Sequence, residues 1–166
     1  MTLTSLMSEQ LEREAELTRR ALEQVPEGKN DWKPHPKSMP LGQLAHMIAL
    51  MPSWISMMIR QDELDIKPKE GSGPRTIPST AELVKTHEKA FKDALQAIAE
   101  TTDEKLQTTW KLLEGGKVCV EKARYEFMLE NFGHIAHHRG QLTVYLRLND
   151  AHVPAIYGPS ADDHRF

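Results

Sequence analysis

Residues 41–60 constrain the fold of this chain more than any other stretch. The segment from Leu41 to Arg60 is apolar on nearly every side of a helical wheel, with few polar side chains among its leucine, isoleucine and methionine residues. A helix of this kind must be packed on several sides. We therefore predict a central helix that other helices surround, with a kink at Pro52, which lacks a backbone donor.

Three further segments carry apolar residues at the spacing of amphipathic helices: residues 4–24, 79–100 and 121–149. Ser79 and Glu82, at the start of one of them, form a capping-box pattern. Together the helices predict an all-α protein with a single domain over residues 1–166, an up-down-down-up four-helix bundle with long connecting loops. We interpret residues 29–40 as an ordered loop and residues 62–78 as a long crossover or a mobile flap.

Smaller features are expected between and after the helices. A short extended hairpin is predicted to turn at Gly115 and Gly116, because paired glycines favour tight turns. Trp32 is expected to anchor its loop on the core. The tail after residue 151 has no periodicity but retains apolar residues, so we expect Ile156 and Tyr157 to dock on the bundle.

The last helix contains the strongest functional signal, in the stretch Asn131-Phe-Gly-His-Ile-Ala-His-His-Arg-Gly-Gln141. His134 and His138 are spaced i, i+4, which places both imidazoles on one face of a helix. They lie at the edge of the apolar arc, so we expect them to point into a core or cleft as half of a metal site. Two hydrogen-bonded interior histidines are the alternative. His137 falls outside this arc and is interpreted as a solvent-facing residue or a support for the ligands.

A third ligand must come from elsewhere, because zinc normally takes three or four protein ligands. His46 is the only titratable side chain inside the central helix and is the best candidate. A core histidine bound to a backbone carbonyl or a hydroxyl is its alternative. His87 is an optional fourth neighbour, although a core or surface role fits it better.

Composition excludes several classes of function. The net charge is −3 and no run of Lys and Arg is present, which argues against nucleic acid as the main partner. No apolar segment reaches the ~18 residues of a membrane span, and no signal peptide is expected at the start. The single cysteine, Cys119, excludes an intrachain disulfide and fits a reducing cytoplasm.

Common catalytic motifs are also missing from the sequence. There is no Gly-rich phosphate loop, no nucleophile-elbow serine, no Cys-x-x-Cys pair and no His-Glu-x-x-His. Tyr145 and Glu126 are weaker acid or base candidates, and Cys119 has no histidine near it in sequence to activate its thiol. Any chemistry is therefore expected to depend on the metal.

The chain resembles the DinB/YfiT-like superfamily of metal-binding four-helix bundles. Three stretches carry the resemblance: Pro40-Leu-Gly-Gln-Leu-Ala-His46, His134-Ile-Ala-His-His-Arg-Gly-Gln141 and Ile156-Tyr-Gly-Pro-Ser-Ala-Asp162. The resemblance implies that the three metal histidines of the family fall on His46, His134 and His138, and that they bind one divalent ion, usually zinc or nickel. It also implies a homodimer as a common assembly.

The resemblance further implies a function. Characterised branches are thiol S-transferases that use a low-molecular-weight thiol such as bacillithiol, and other branches are isomerases. We expect activation of such a thiol, or of water, for attack on an electrophilic small molecule; a non-catalytic stress-response protein that binds metal or a partner is the alternative. Arg60 and Arg139 are candidate partners for a thiol carboxylate, although Arg139 equally fits an ion pair or a dimer contact. Candidates to support the ligands or contact substrate are His137, Arg139, Gln141 and Tyr145.

Overall fold

The computed structural model describes residues 1–67 and 78–165. The described part is mostly helical, with these helices: α1 (Leu3–Leu22), α2 (Leu41–Leu50), α3 (Pro52–Arg60), α4 (Thr80–Ala99), α5 (Asp103–Gln107) and α6 (Arg124–Leu148). It also contains the strands β1 (Glu63–Asp65), β2 (Thr109–Glu114) and β3 (Lys117–Ala123). The predicted all-α class is therefore only partly right, because a small sheet accompanies the helices.

The long helices begin where the sequence offers capping groups. Thr2 caps α1 through a hydrogen bond from the Ser5 amide, 3.1 Å long. Ser79 and Glu82 form the predicted capping box at the start of α4, which satisfies backbone donors that have no partner inside the helix. The predicted central helix is divided into α2 and α3, since Pro52 lies in the first turn of α3, where its missing N–H is tolerated.

The contacts between the helices show which helices are neighbours and that α1 and α4 are antiparallel. The α1 helix lies against α4 and α6, and both α2 and α3 also contact α4 and α6. At one end, the Leu3 amide donates to Asp103, just beyond α4, and at the other Thr80 donates to the Val25 carbonyl. These contacts make α1 and α4 antiparallel. As predicted, the apolar residues of α2 and α3 are largely buried among these neighbours.

The sheet covers one end of the helices. Strand β2 pairs parallel with β1 and antiparallel with β3. The predicted hairpin turn is confirmed at Gly115 and Gly116, whose φ angles of +60° and +79° favour glycine. Asp65 clamps this turn by accepting hydrogen bonds from both glycine amides, at 2.9 and 2.7 Å. Because residues 121–123 belong to β3, helix α6 begins at Arg124 rather than at residue 121.

The predicted loops and tail are partly described. Trp32 packs edge-on against Tyr145, with ring centroids 5.4 Å apart, as expected of an anchor. Ile156 packs against the same part of the core, as predicted. Tyr157 stays 65% exposed and is tied to the core through its hydroxyl, which donates to the buried Glu14 carboxylate across 2.8 Å. Of the predicted crossover at residues 62–78, residues 63–65 form β1, and residues 68–77 lie outside the described residues. Within the described part, no helix combines the length and apolar character that crossing a membrane requires.

Candidate metal centre and adjoining cavity

The side chains of His134 and His138 converge on the surface of α6. Their Nε2 atoms are 2.7 Å apart and their ring centroids 4.5 Å apart. The i, i+4 spacing brings the rings together, and a hydrogen bond between the two nitrogens requires that one donates and the other accepts. Two histidine nitrogens bound to one tetrahedral zinc lie about 3.3 Å apart, given Zn–N bonds of about 2.05 Å. Small ring rotations would therefore make room for an ion.

Gln141 fixes which nitrogen of His138 carries the proton. The Oε1 atom of Gln141 can only accept, so His138 Nδ1 donates to it across 2.8 Å. The Nε2 atom of His138 then carries no proton, and its lone pair accepts the hydrogen bond from His134 Nε2. The amide nitrogen of Gln141 donates in turn to Nε2 of His137, 3.1 Å away. Support of the remaining ring nitrogen by a neighbouring group is typical of metal-binding histidines.

The surroundings of His134 disfavour its protonated form. Desolvation lowers the pKa of His134 below its ordinary value, and the charges of His138 and His137 lower that pKa further. His134 is nevertheless exposed, and His138 is half-buried. The pair thus lies at the surface of the helical core rather than inside it, which corrects the expectation that both histidines point into the core. A neutral imidazole at neutral pH is the form that binds a metal ion.

His46 is placed at the height of the pair by the register of α2 and α6. Asn131 on α6 donates to the Met51 carbonyl, and Tyr145 on α6 donates to the Met39 carbonyl. The two helices therefore run antiparallel. Both rise by about 1.5 Å per residue, so interpolating along the helix axis between the two contacts sets position 46 opposite positions 136–138. His46 itself is half-buried.

The structure does not gather His46 and the pair into one cluster. Among residues 1–67 and 78–165, no three His, Cys, Asp or Glu side chains are grouped closely enough to hold a metal ion. Of the three predicted ligands, the structure thus brings His134 and His138 together and does not group His46 with them.

Arg139 and Tyr145 have partners away from the pair. Arg139 is buried on another face of α6, where it donates to Glu14 across 2.7 Å and to the Tyr157 hydroxyl across 2.6 Å. This is the ion pair that the sequence left as one of its alternatives. The Tyr145 hydroxyl donates to the Met39 carbonyl across 3.2 Å, two helical turns from His138. Of the four predicted neighbours, the structure brings Gln141 and His137 to the pair.

The other titratable candidates are also placed elsewhere. His87 is buried, with Nε2 2.9 Å from the Ala15 carbonyl, so of the predicted core and surface roles it has the core role. Arg60 forms an ion pair with Asp93. Cys119 is exposed on β3. Glu126 is half-buried and accepts a hydrogen bond from the Tyr125 hydroxyl, 3.3 Å long.

A cavity that sequence reasoning missed adjoins the pair. It has a volume of about 500 Å³ and is bounded by α3, the sheet and α6, with His134 in its wall. The Trp54 ring in the same wall lies 5.6 Å from the His134 ring. A partial signal was present in the sequence, because Asn131 and His134 are polar residues on an apolar face of α6. The lining residues are Trp54, Met57, Met58, Leu64, Ile66, Trp110, Leu112, Phe127, Glu130, Asn131 and His134.

Comparisons with known proteins agree with this architecture. The profile of the DinB superfamily matches residues 10–142. Among solved structures, a DinB-like protein from Bacillus cereus ATCC 10987 is 22% identical, with a TM-score of 0.67 over 88% of this chain and 92% of that one. A DinB-like protein from Bacillus subtilis is 15% identical, with a TM-score of 0.65 over 87% and 92%. No curated protein matches the chain.

The two solved structures share the fold with this protein at identities too low to transfer a function. The matched residues 10–142 include His46, His134, His138 and Gln141, and they cover most of the chain. The chain therefore belongs to the DinB superfamily.

Proposed function

We propose that the protein is a metal-dependent enzyme in which His46, His134 and His138 hold one divalent ion, zinc or nickel. Its reaction would be thiol S-transferase-type activation of a low-molecular-weight thiol, or of water, for attack on an electrophilic small molecule. One observation carries the proposal: the Nε2 atoms of His134 and His138 converge to 2.7 Å while Gln141 holds the proton of His138 on Nδ1.

The donor set fits such an ion. Three neutral imidazoles suit zinc and nickel. The pairwise contacts of α2 with α6 and of α1 with α4 support an up-down-down-up order of the four long helical segments, with α2 and α6 as neighbours. His87, which was considered as a fourth ligand, is held at the Ala15 carbonyl. A site with three protein ligands and an open position is typical of catalytic rather than structural zinc.

The residues around the ion would have separate roles in orienting a ligand and in binding the substrate. A divalent metal lowers the pKa of a bound thiol or water, which generates an anionic nucleophile near neutral pH. Gln141 keeps the Nε2 lone pair of His138 directed at the site, and His137 orients Gln141. Trp54 and the cavity behind it would hold the electrophile next to the nucleophile and exclude water. In the transfer, the thiolate sulfur forms a bond to an electrophilic carbon and a leaving group departs with the electron pair.

A non-catalytic metal-binding or interaction protein of the stress response is the second candidate. Two observations favour it: the Tyr145 hydroxyl is committed to the Met39 carbonyl, and Arg139 is buried in an ion pair away from the site. Neither can then serve as a proton donor or as an anchor for a thiol carboxylate at the pair. Metal binding without thiol turnover would decide for this candidate.

We also propose a cytoplasmic homodimer. The exposed thiol of Cys119 fits a reducing compartment. The apolar residues of α2 and α3 are largely buried in the core, so they do not offer a dimer surface. Exposed apolar side chains instead lie on α6, at Leu129, Val144 and Leu148. Sedimentation velocity would test this assembly, and a concentration-independent monomer would refute it.

The decisive experiment is metal analysis of protein purified without a histidine tag or a nickel column. We expect about one equivalent of a divalent ion in the wild type, and a loss of that ion in His46→Ala and His138→Ala. The matched control is His35→Ala, because His35 is exposed in the loop before α2. If His138→Ala retains stoichiometric metal while folding normally, the three-histidine site is wrong.

Catalysis is tested on the same samples. Consumption of a low-molecular-weight thiol with a chromogenic aryl halide is expected in the wild type and absent in His138→Ala. Full metal occupancy without any thiol or halide turnover across a panel of pairs would favour the non-catalytic candidate.

A further inference from the structure

One long face of α6 is exposed to solvent in the described part of the chain. Positions 129, 133, 136, 140 and 144 recur at intervals of three or four residues, so they lie on one side of the helix. Leu129 is 45% exposed and Val144 is 56% exposed, and Gly133 and Gly140 are exposed between them. The other helices cover the opposite side of α6. We call these five positions the glycine face.

The two glycines keep the centre of this face flat. A Cβ atom added at Gly133 or at Gly140 would meet no atom within 4 Å, so the packing of the described chain does not require glycine at either position. Neither glycine has a positive φ angle, so the helical backbone does not require glycine there either. Glycine is unfavourable inside a helix compared with alanine, and it allows another backbone to approach closely.

A second copy of α6 fits this face when the two helices run antiparallel. A two-fold dimer uses the same surface on both subunits, so Gly133 of one subunit can lie level with the partner's Gly140. This choice sets the register and places the two-fold axis between positions 136 and 137. Leu129 then lies level with the partner's Val144, although neither residue was used to choose the register.

The charges at the ends of the face match in the same register. Glu126 lies seven residues before Gly133 and Arg147 seven residues after Gly140, so both are about two helical turns from a glycine and on its side of the helix. Glu126 is therefore level with the partner's Arg147, and the symmetry forms this pair twice. Parallel packing would instead bring Glu126 against its own copy and Arg147 against its own copy, which is unfavourable. The charges thus favour a second copy in the antiparallel direction.

A groove beside the glycine face offers space for a side chain of the partner. The groove lies between α1 and α6, has a volume of about 270 Å³, and has Leu6, Leu129 and Phe132 in its apolar wall. In the register set by the glycines, the partner's Val144 is the side chain level with Leu129. Removing these apolar groups from water favours association.

We propose that a second copy of this chain docks on the glycine face, with α6 antiparallel to α6 of the partner subunit and the two helices crossing at Gly133 and Gly140. The inference rests on the homodimer put forward under the proposed function and deepens it, because it assigns the surface, the direction and the register of that assembly. It does not depend on the metal or on thiol chemistry.

Cross-linking of introduced cysteines tests the register. In a Cys119→Ser background, Ala136→Cys would lie beside the two-fold axis, about 1.5 Å along the helix from its own copy. A disulfide needs Cα atoms within about 7 Å of each other, so mild oxidation should give a covalent dimer. Leu129→Cys would lie about 22 Å along the helix from its own copy. A short bis-maleimide should therefore join it to Val144→Cys in a mixture of the two variants, but not to itself.

The wild type is the control for cross-linking, because its exposed Cys119 lies on β3, away from the glycine face. Mild oxidation should leave it without a covalent dimer.

A second variant tests whether close approach of the helices is needed. Gly140→Leu should fold normally, because the space around Gly140 is open within the described chain. In a dimer it overpacks the crossing at two symmetric positions, so sedimentation velocity should show a dissociation constant at least about thirtyfold higher. Lys85→Leu is the matched control, since it places the same side chain on the exposed surface of α4; it should leave the dissociation constant unchanged. Circular dichroism verifies that both variants are folded.

Four results would overturn the inference. They are a monomeric wild type, a dimer that Gly140→Leu does not weaken, cross-linking of Leu129→Cys to its own copy, and a dimer in which Ala136→Cys does not cross-link. A monomeric wild type would refute the homodimer as well, whereas the other three results would refute only this interface. Metal analysis of the same samples decides the three-histidine site separately, because none of the substituted residues is a proposed ligand.

Discussion

Replacing Arg139 with leucine should destabilise the fold rather than the chemistry. The guanidinium is 1% exposed and donates to the Glu14 carboxylate, 3% exposed, across 2.7 Å. In Arg139→Leu the donors left to the carboxylate among residues 1–67 and 78–165 are neutral: the Tyr157 hydroxyl at 2.8 Å and the Gln10 amide at 3.0 Å. An uncompensated buried charge costs about 3–5 kcal/mol, and we expect the free energy of unfolding to fall by that amount.

Urea denaturation followed by circular dichroism measures this loss. Arg147→Leu is the matched control, because Arg147 and Asp162 form an ion pair of the same type at the surface, with side chains 49% and 27% exposed. Exposed pairs contribute below about 1 kcal/mol. The double variant Glu14→Leu with Arg139→Leu should recover much of the loss, since no buried charge remains. If the free energies of unfolding of Arg139→Leu and Arg147→Leu differ by less than about 1 kcal/mol, the buried ion pair is not what stabilises this contact between α1 and α6.

Two further predictions concern histidines. Gln141→Leu leaves His138 Nδ1 without its acceptor, so competition with a chromophoric chelator should show zinc affinity about 10–100-fold weaker; an unchanged affinity would exclude Gln141 as a support of the site. Burial lowers the pKa of His87 below its ordinary value of 6.5. Below pH 6.5, His87 therefore binds a proton in the unfolded chain but not in the folded protein. The free energy of unfolding then falls as the pH drops. The urea concentration at the unfolding midpoint should therefore decrease as the pH is lowered from 7 to 5. This decrease should be smaller in His87→Gln, which retains a donor for the Ala15 carbonyl. An identical pH dependence in both proteins would contradict the role of His87.

Local periodicity predicted the helices well because each helix carries its own signal. The predicted segments 4–24 and 79–100 correspond to α1 and α4 within one or two residues at each end. Pro52 was correctly singled out, although it separates two helices instead of bending one. Strand β1 was missed because three residues are too few to show an alternation of apolar and polar side chains. These residues form a strand through their pairing with β2.

The candidate site shows the same division. The i, i+4 spacing alone was sufficient to predict that His134 and His138 meet, since helix geometry fixes it. Burial was predicted less well, because the wheel placed both histidines at the edge of an apolar arc and could not tell which neighbour would cover that edge. Arg139 was placed in an ion pair only as one of several alternatives, because its partner Glu14 lies 125 residues away in the chain.

The sequence by itself determined the helices, the convergent histidine pair, the glycine turn and the resemblance to the DinB superfamily, because each depends on residues close together in the chain. Only the tertiary structure decided the height of His46 on the facing helix, the buried Glu14 and Arg139 pair, and the cavity beside His134. Those features join residues from separate elements, and their positions follow from how helices and sheet pack, which local patterns do not encode.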